Sequence, residues 1–208
     1  MCLCIIRVKW ILFFVLTVGA LFLTWRAVRQ APRTGATRTA AVSPSVGGNA
    51  LREETHYSPF ENLEALDYRA LGGAKHRIDI AMYAMTDRYL ASELTSLADR
   101  GVAIRIYRDG EQWQTEMRNG RHDTIADLLR GHAGIHIRVK PPSRSELMHL
   151  KEYLVDGTLL RDGSANWSPA GLREQDNEAR FTGDPRQIEA FEARFDAMWK
   201  RTSNLFVQ

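Results

Sequence analysis

Cysteine is almost absent. Of 208 residues only Cys2 and Cys4 carry thiols, and both precede an apolar run near the N-terminus. Nothing after that run can be held by a disulfide framework or a thiolate metal site. Histidine pairs at metal-ligand spacing beside an acid are also missing: His56, His76, His122, His132 and His136 read as residues at element edges or on strands. Acidic residues are missing from positions 1–50, which hold six Lys or Arg. With 28 basic and 25 acidic residues in all, the remainder holds 22 against 25, a net of −3. The basic balance of the whole chain therefore belongs to its N-terminal stretch and does not mark a nucleic-acid-binding domain.

One long uncharged run is present. Trp10 to Trp25 (WILFFVLTVGALFLTW) would cover roughly 24 Å as a helix, long for a signal-peptide core and slightly short for a span. Arg7 and Lys9 precede it, and Trp25-Arg26 follows without a small-x-small cleavage site. Its whole circumference is apolar, which a helix packed on one side of a core does not need. An uncleaved signal-anchor is the preferred reading and a cleaved export signal the alternative. Residues 28–55 are rich in Ala, Thr, Ser, Gly and Pro and lack periodicity, as a flexible linker does. The expected organisation is an anchor or uncleaved signal over 1–27, a linker over 28–55 and a folded domain over 56–208.

Within the domain, helix and strand signals alternate. Ser58-Pro59-Phe60-Glu61 predicts a helix start, with Leu63, Leu66 and Ala70 inward and a stop at Gly72-Gly73. His76 to Met85 reads as a buried strand. Asp87 caps a helix carrying Leu90, Leu94 and Leu97, and Val102 to Tyr107 forms the next strand. Gly110 to Arg121 is polar with one Trp and reads as a loop; Asp123 to Arg130 predicts a short helix, and Gly134 to Val139 a strand. Asp184-Pro185 opens a long amphipathic helix with Ile188, Phe191, Phe195, Met198 and Trp199 inward. This alternation argues for a mainly parallel sheet covered on both faces.

The densest chemistry lies in Met148-His149-Leu150-Lys151-Glu152-Tyr153-Leu154-Val155-Asp156-Gly157, followed by Gly163-Ser164-Ala165-Asn166-Trp167. Side chains alternate on a strand, so His149 and Lys151 share a face, and Ser164 and Asn166 do likewise beyond a turn. An imidazole that can attack phosphorus or carry a proton is thereby set beside a fixed cation and two neutral hydrogen-bonders. That set suits a phosphoryl group. Asp156 has the opposite parity, and Asp156-Gly157 is also a hairpin-turn signal, so a turn former and a catalytic role both stay open. Trp167 either stacks on a base or packs in a core or interface.

The pattern His149-x-Lys151-x4-Asp156-x6-Gly163-Ser164-x-Asn166 resembles the signature of the phospholipase D superfamily, and the similarity extends over about residues 56–200. The resemblance implies an α/β fold with a mixed, mainly parallel β-sheet and helices on both faces. It also implies a phosphodiesterase that needs no metal or other cofactor and works through a phosphohistidine intermediate. Family active sites use two copies of the motif, one His attacking and the other protonating the leaving oxygen. This chain has one copy and so is similar to the single-motif members that complete the site as homodimers, the bacterial endonucleases and the mitochondrial, Zucchini-type proteins. The latter carry a Cys/His zinc element that has no counterpart here, which favours the bacterial branch. Carried over to this chain, His149, Lys151 and Asp156 are catalytic, and Lys151, Ser164 and Asn166 hold the phosphate. Glu178 is chosen as the carboxylate that orients the His, although Asp176 shares its strand face.

Nucleic acid, DNA or RNA, is the expected substrate of this homodimer, with the membrane reached through the N-terminal helix. Residues 100–151 carry ten basic residues against six acidic ones and are expected to contribute to a phosphate-tracking groove. A phospholipid headgroup is the alternative substrate, against which stands the absence of an apolar stripe near the motif. A non-enzymatic dimeric scaffold is the third reading, and it has no need of His149, Lys151 and Asn166 together. Arg26, Arg29, Arg33 and Arg38 outnumber Arg7 and Lys9, which by the positive-inside rule keeps the domain cytoplasmic. Bacterial members of this kind are typically exported, and the periplasmic side is the reading taken.

Overall fold

A computed structural model describes residues 53–120 and 124–207. The apolar run, both cysteines and nearly all of the linker lie outside the described residues, as do Arg121, His122 and Asp123. Among the described residues no helix is long and apolar enough to cross a membrane.

Eight strands form one sheet: β1 (Glu54–Ser58), β2 (Arg77–Met82), β3 (Ala103–Arg108), β4 (Ile135–Val139), β5 (Lys151–Val155), β6 (Leu159–Gly163), β7 (Asn177–Thr182) and β8 (Leu205–Val207). Their order across the sheet is β1-β7-β6-β5-β2-β3-β4-β8. Only β2 with β3 and β3 with β4 run parallel; the other five pairings are antiparallel. The sheet is therefore mixed as expected, but not mainly parallel. Helical crossovers carry the chain only between β2, β3 and β4, where parallel pairing requires them. After β4 an extended segment leads into β5, which enters antiparallel beside β2 and continues through a tight hairpin into β6.

The helices are α1 (Leu63–Gly72), α2 (Arg88–Asp99), α3 (Gly110–Asn119), α4 (Ile125–Leu129), α5 (Pro169–Arg173) and α6 (Pro185–Trp199). They cover both faces of the sheet. On one side Leu63 and Leu71 of α1 and Leu90, Leu94 and Leu97 of α2 pack with Ile78, Ile80, Ile104, Tyr153 and Val155. On the other, Ile188, Phe191, Phe195 and Met198 of α6 close over Ala81, Tyr107, Leu154 and Leu160. Each of these side chains contributes about 1.5–3 kcal/mol when taken fully out of water. The central strands are thereby fixed in register, and with them the strand ends that carry the motif.

Capping explains where several helices begin. Asp87 accepts a hydrogen bond from Leu90 N at 3.0 Å, and Asp184 one from Arg186 N at 2.9 Å, both at the expected starts. The first helix starts later than its Ser-Pro signal. Ser58 finishes β1, with its hydroxyl donating to Gln175 O at 2.7 Å, and Asn62 supplies the cap. The loop expected over Gly110–Arg121 is largely helix α3, because Asp109 accepts from both Glu111 N and Gln112 N. That helix is polar because it packs through Trp113, which lies under the Arg108 guanidinium, and through the Glu116–Arg108 ion pair. Half of the ten basic residues expected to contribute to a phosphate-tracking groove are paired inside the domain. Arg100, Arg105, Arg108, Arg130 and Lys140 are each committed to a carboxylate of the domain.

Candidate active site

The motif gathers where β2 ends and β5 begins. Lys151, the first residue of β5, pairs with Met82, the last of β2. His149 lies just before the strand, in chain that remains extended because Tyr83 N donates to Leu150 O at 3.0 Å. The predicted shared face is present: Lys151 Nζ lies 2.9 Å from His149 Nδ1 and 2.6 Å from His149 O. The Tyr83 ring backs both groups, its centroid 4.6 Å from that of the imidazole and 5.3 Å from the ammonium. His149 is exposed at the rim, whereas Lys151 is only 6% exposed.

Burial sets the charges. It pulls the Lys151 ammonium down to about 8, so the cation is retained at neutral pH with little reserve. Burial also lowers His149 below its ordinary value, and the Lys151 charge adds to the effect while Asp109 opposes it. The imidazole is thus biased toward the neutral, nucleophilic form. A protonated Lys151 can only donate, so in the ligand-free site Nδ1 accepts and the neutral ring carries its proton on Nε2. For Nε2 to attack, an incoming phosphate must draw the ammonium away and Nδ1 must take the proton. Asp109 steadies the approach to the His: Oδ2 accepts from Met148 N at 2.8 Å, while Oδ1 caps α3.

Ser164 and Asn166 follow the end of β6, and Gly163 is what lets the chain turn there. Its φ is +140°, and a Cβ would lie 2.4 Å from Glu178 O. That close approach allows Ser164 N and Ala165 N to reach the same carbonyl, at 3.1 and 3.3 Å. The Ser164 hydroxyl donates to Asn177 Oδ1 at 3.0 Å and accepts from Glu178 N at 2.9 Å. Asn166 Oδ1 accepts from Ala84 N at 3.2 Å, which turns its amide nitrogen outward as a donor without a partner among the described residues. Ala84 directly follows Tyr83, so Asn166 is tied to the segment that backs His149.

Two candidates stand apart from this cluster. Asp156 lies at the opposite end of β5, where its carboxylate accepts from Lys75 N, His76 N and Arg77 N at 2.8, 2.9 and 2.8 Å. Burial alone would raise this carboxyl, but the three N–H donors outweigh it and hold the group below the usual carboxylate range. Positive φ at Asp156 (51°) and Gly157 (68°), with Thr158 N donating to Val155 O, makes the turn the sequence signals. Asp156 therefore joins the β5–β6 turn to the start of β2 and is not brought to His149. The Glu178 side chain is exposed, and no hydrogen bond or ion pair joins it to His149 among the described residues. Its backbone carbonyl holds the Ser164 turn instead.

Beneath the cluster lies a buried ion pair the sequence reading does not find. Asp67 and Arg161 are both 0% exposed. Arg161 Nη1 donates to Lys151 O at 2.8 Å and Ala165 O at 3.2 Å, joining both halves of the motif by their backbones. Asp67 accepts from Tyr153 Oη at 3.0 Å and Trp167 Nε1 at 2.9 Å, and burial raises its carboxyl despite Arg161. Arg161 Nε lies 3.3 Å from Asp67 Oδ1 but out of line, so Nε and Nη2 are buried without hydrogen-bond partners. A signal exists in hindsight: Leu63, Asp67 and Leu71 form one buried stripe, with an acid at its centre. Trp167 is 0% exposed and is a core residue, not a stacking platform.

An imidazole, a buried ammonium and an outward amide collected at one strand end define a site for phosphoryl chemistry. The chain belongs to the phospholipase D superfamily: residues 68–199 match the family described as "Cardiolipin synthase, PLD-like domain". A mitochondrial cardiolipin hydrolase of Chlamydomonas reinhardtii is 30% identical over 154 residues, 73% of this chain and 64% of that protein. Another, from Drosophila melanogaster, is 31% identical over 61% of this chain and 54% of its own length. The chain thus spans between about half and two-thirds of these curated relatives. Among solved structures, NucT from Helicobacter pylori superposes with a TM-score of 0.64 at 20% identity, covering 74% of this chain and 98% of that one. A phospholipase D family member, Nuc from Salmonella typhimurium, gives 0.62 at 21% identity, covering 75% and 97%. The bacterial branch is the expectation from the sequence, whereas these two sequence relatives are named mitochondrial. The bacterial structures share the fold.

Proposed function

We propose that the chain is a phosphodiesterase that cleaves nucleic acid as a homodimer. The observation that carries the chemistry is the His149–Lys151 contact beside the outward Asn166 amide. Nε2 of His149 attacks phosphorus, the bond to the leaving oxygen breaks, and the partner's His149 gives that oxygen its proton. Water then attacks the phosphohistidine, giving up its proton to the same partner imidazole, and a 5′-phosphate and a 3′-hydroxyl result. Lys151 and Asn166 hold the non-bridging oxygens, joined by Ser164 when its hydroxyl exchanges Asn177 Oδ1 for the phosphate. Glu178 is the carboxylate proposed to receive Nδ1–H once Lys151 has moved to the phosphate.

A polymeric substrate is favoured because His149 stands exposed at the rim. A phosphodiester in the middle of a long chain can reach such a residue from the side, without entering a closed pocket. A phospholipid is the second reading. It is favoured by the name of the curated relatives and by Tyr57, Phe60 and Leu147, large apolar side chains exposed near the motif in sequence or space, where no apolar stripe is expected.

The test is digestion of single-stranded DNA, duplex DNA and RNA by the full-length chain in detergent with EDTA present, beside His149→Asn. Cleavage confined to the unsubstituted protein is expected. Headgroup release from phospholipid vesicles without any nucleic-acid cleavage would transfer the assignment to the second reading.

A further inference from the structure

A cleft of about 390 Å³ opens beside the motif, between the end of β1 and the start of β7. Its walls are Tyr57, Phe60, Asp176, Asn177 and Glu178, and Ser164 is shared with the phosphate site. Phe60 is 91% exposed and Tyr57 51%, and both stand beside the Asp176 and Glu178 carboxylates. No Lys or Arg lines the cleft.

These features exclude a second phosphate, which two carboxylates would repel. They also differ from an ammonium cage, which encloses its cation between several aromatic walls. Phe60 instead offers an open flat face, suited to a flat heterocycle whose other side stays in water. A carboxylate only accepts hydrogen bonds, so the edge turned toward Asp176 must donate. Guanine presents two adjacent donors, N1–H and N2–H, that match the two oxygens of one carboxylate. Adenine and cytosine present one amino group each. Thymine and uracil flank a single N–H with two carbonyls, which a carboxylate repels.

We infer that the cleft is a base-recognition subsite that holds one unpaired base on Phe60 and Tyr57, its Watson–Crick edge toward Asp176, with guanine the best occupant. The inference rests on the nuclease reading and specifies its substrate. In a duplex that edge is already taken, so single strands are the form that fits. Because Ser164 belongs to both sites, the recognised base adjoins the scissile phosphate.

The experiment uses the full-length chain on oligothymidylates carrying one central guanine, adenine or cytosine, with the cut positions mapped. Cutting beside guanine should exceed cutting between thymidines by about tenfold, the discrimination a good bidentate contact supplies. Asp176→Asn should abolish that preference, and Phe60→Ala should slow oligonucleotide cleavage about 5- to 100-fold. Both variants should hydrolyse bis(4-nitrophenyl) phosphate, which has no base, at the unsubstituted rate and sediment unchanged. Equal cutting at all four bases overturns the subsite and leaves the nuclease reading standing. A sedimentation change in Phe60→Ala also overturns it, by making the aromatic pair an interface between copies. Hydrolysis of the small diester and of vesicle phospholipid, without any oligonucleotide cleavage, overturns the nuclease reading itself.

Discussion

Lys151 carries the charge that would meet the phosphate, and its burial makes that charge sensitive to pH. With its pKa lowered to about 8, the cation is present at neutral pH and is lost as pH rises through that value. His149 is lowered too and is largely neutral over the same range. Because the partner's His149 must still carry a proton for the leaving oxygen, the expected profile of kcat/KM bends twice as pH rises, first where that imidazole loses its proton and again above pH of about 8 where Lys151 loses its charge. Lys151→Arg, which keeps its proton throughout, should push the alkaline limb upward whatever it does to the rate. A second residue-scale expectation concerns Asp67 and Arg161, which are buried together, both 0% exposed. Asp67→Ala should lower the unfolding free energy by about 3–5 kcal/mol in urea, because it strands the guanidinium. The double variant Asp67→Leu with Arg161→Met should recover most of that loss. The recovered stability should not bring back turnover, since the backbone ties to Lys151 and Ala165 would still be gone.

At the scale of elements, the β5–β6 hairpin divides its duties between its two ends. One end presents His149 and Lys151; the other uses Asp156 to hold the start of β2. Asp156 is depressed in the folded state, so its contribution is present above the unfolded carboxylate value and disappears as pH falls through the folded one. Asp156→Asn should therefore lower stability by about 1–2 kcal/mol at neutral pH and flatten the loss of stability below pH of about 4, with kcat little changed. This division also explains what the sequence reveals. The His149–Lys151 contact spans two residues and the turn at Asp156-Gly157 is local, so both are legible. Helices α2 and α6 are legible for the same reason, since cap and stripe lie in one segment. Helix α3 is not, because its few packing residues leave no periodic signal. Strands β1 and β8 are short edge strands whose partners are remote. The direction of β5 depends on a neighbour met long before it in the chain, and the same holds for Asp67, Tyr83 and Asp109 at the site. Glu178 is legible by family spacing, but the strand register that turns its side chain is not.

The whole molecule carries one copy of a motif whose chemistry needs two imidazoles, and the proposed symmetric dimer can be tested by mixing. If each active site draws one His149 from each protomer, dimers reassembled from equal amounts of unsubstituted and His149→Asn chains should show about one quarter of the unsubstituted activity, because only a quarter retain both. Self-sufficient protomers would give half. The Asp156 anchor bears on how such proteins are sought. A six-position pattern treats its members as equals, yet here one of them ties two central strands together at the end of the sheet opposite the imidazole. A chain that had replaced that residue and strengthened the same joint by other means would be a working catalyst that the pattern rejects. A chain that kept all six while losing the buried guanidinium would be accepted and inert. For this fold, a search weighted by distance from the imidazole should separate active from inactive relatives better than the signature itself.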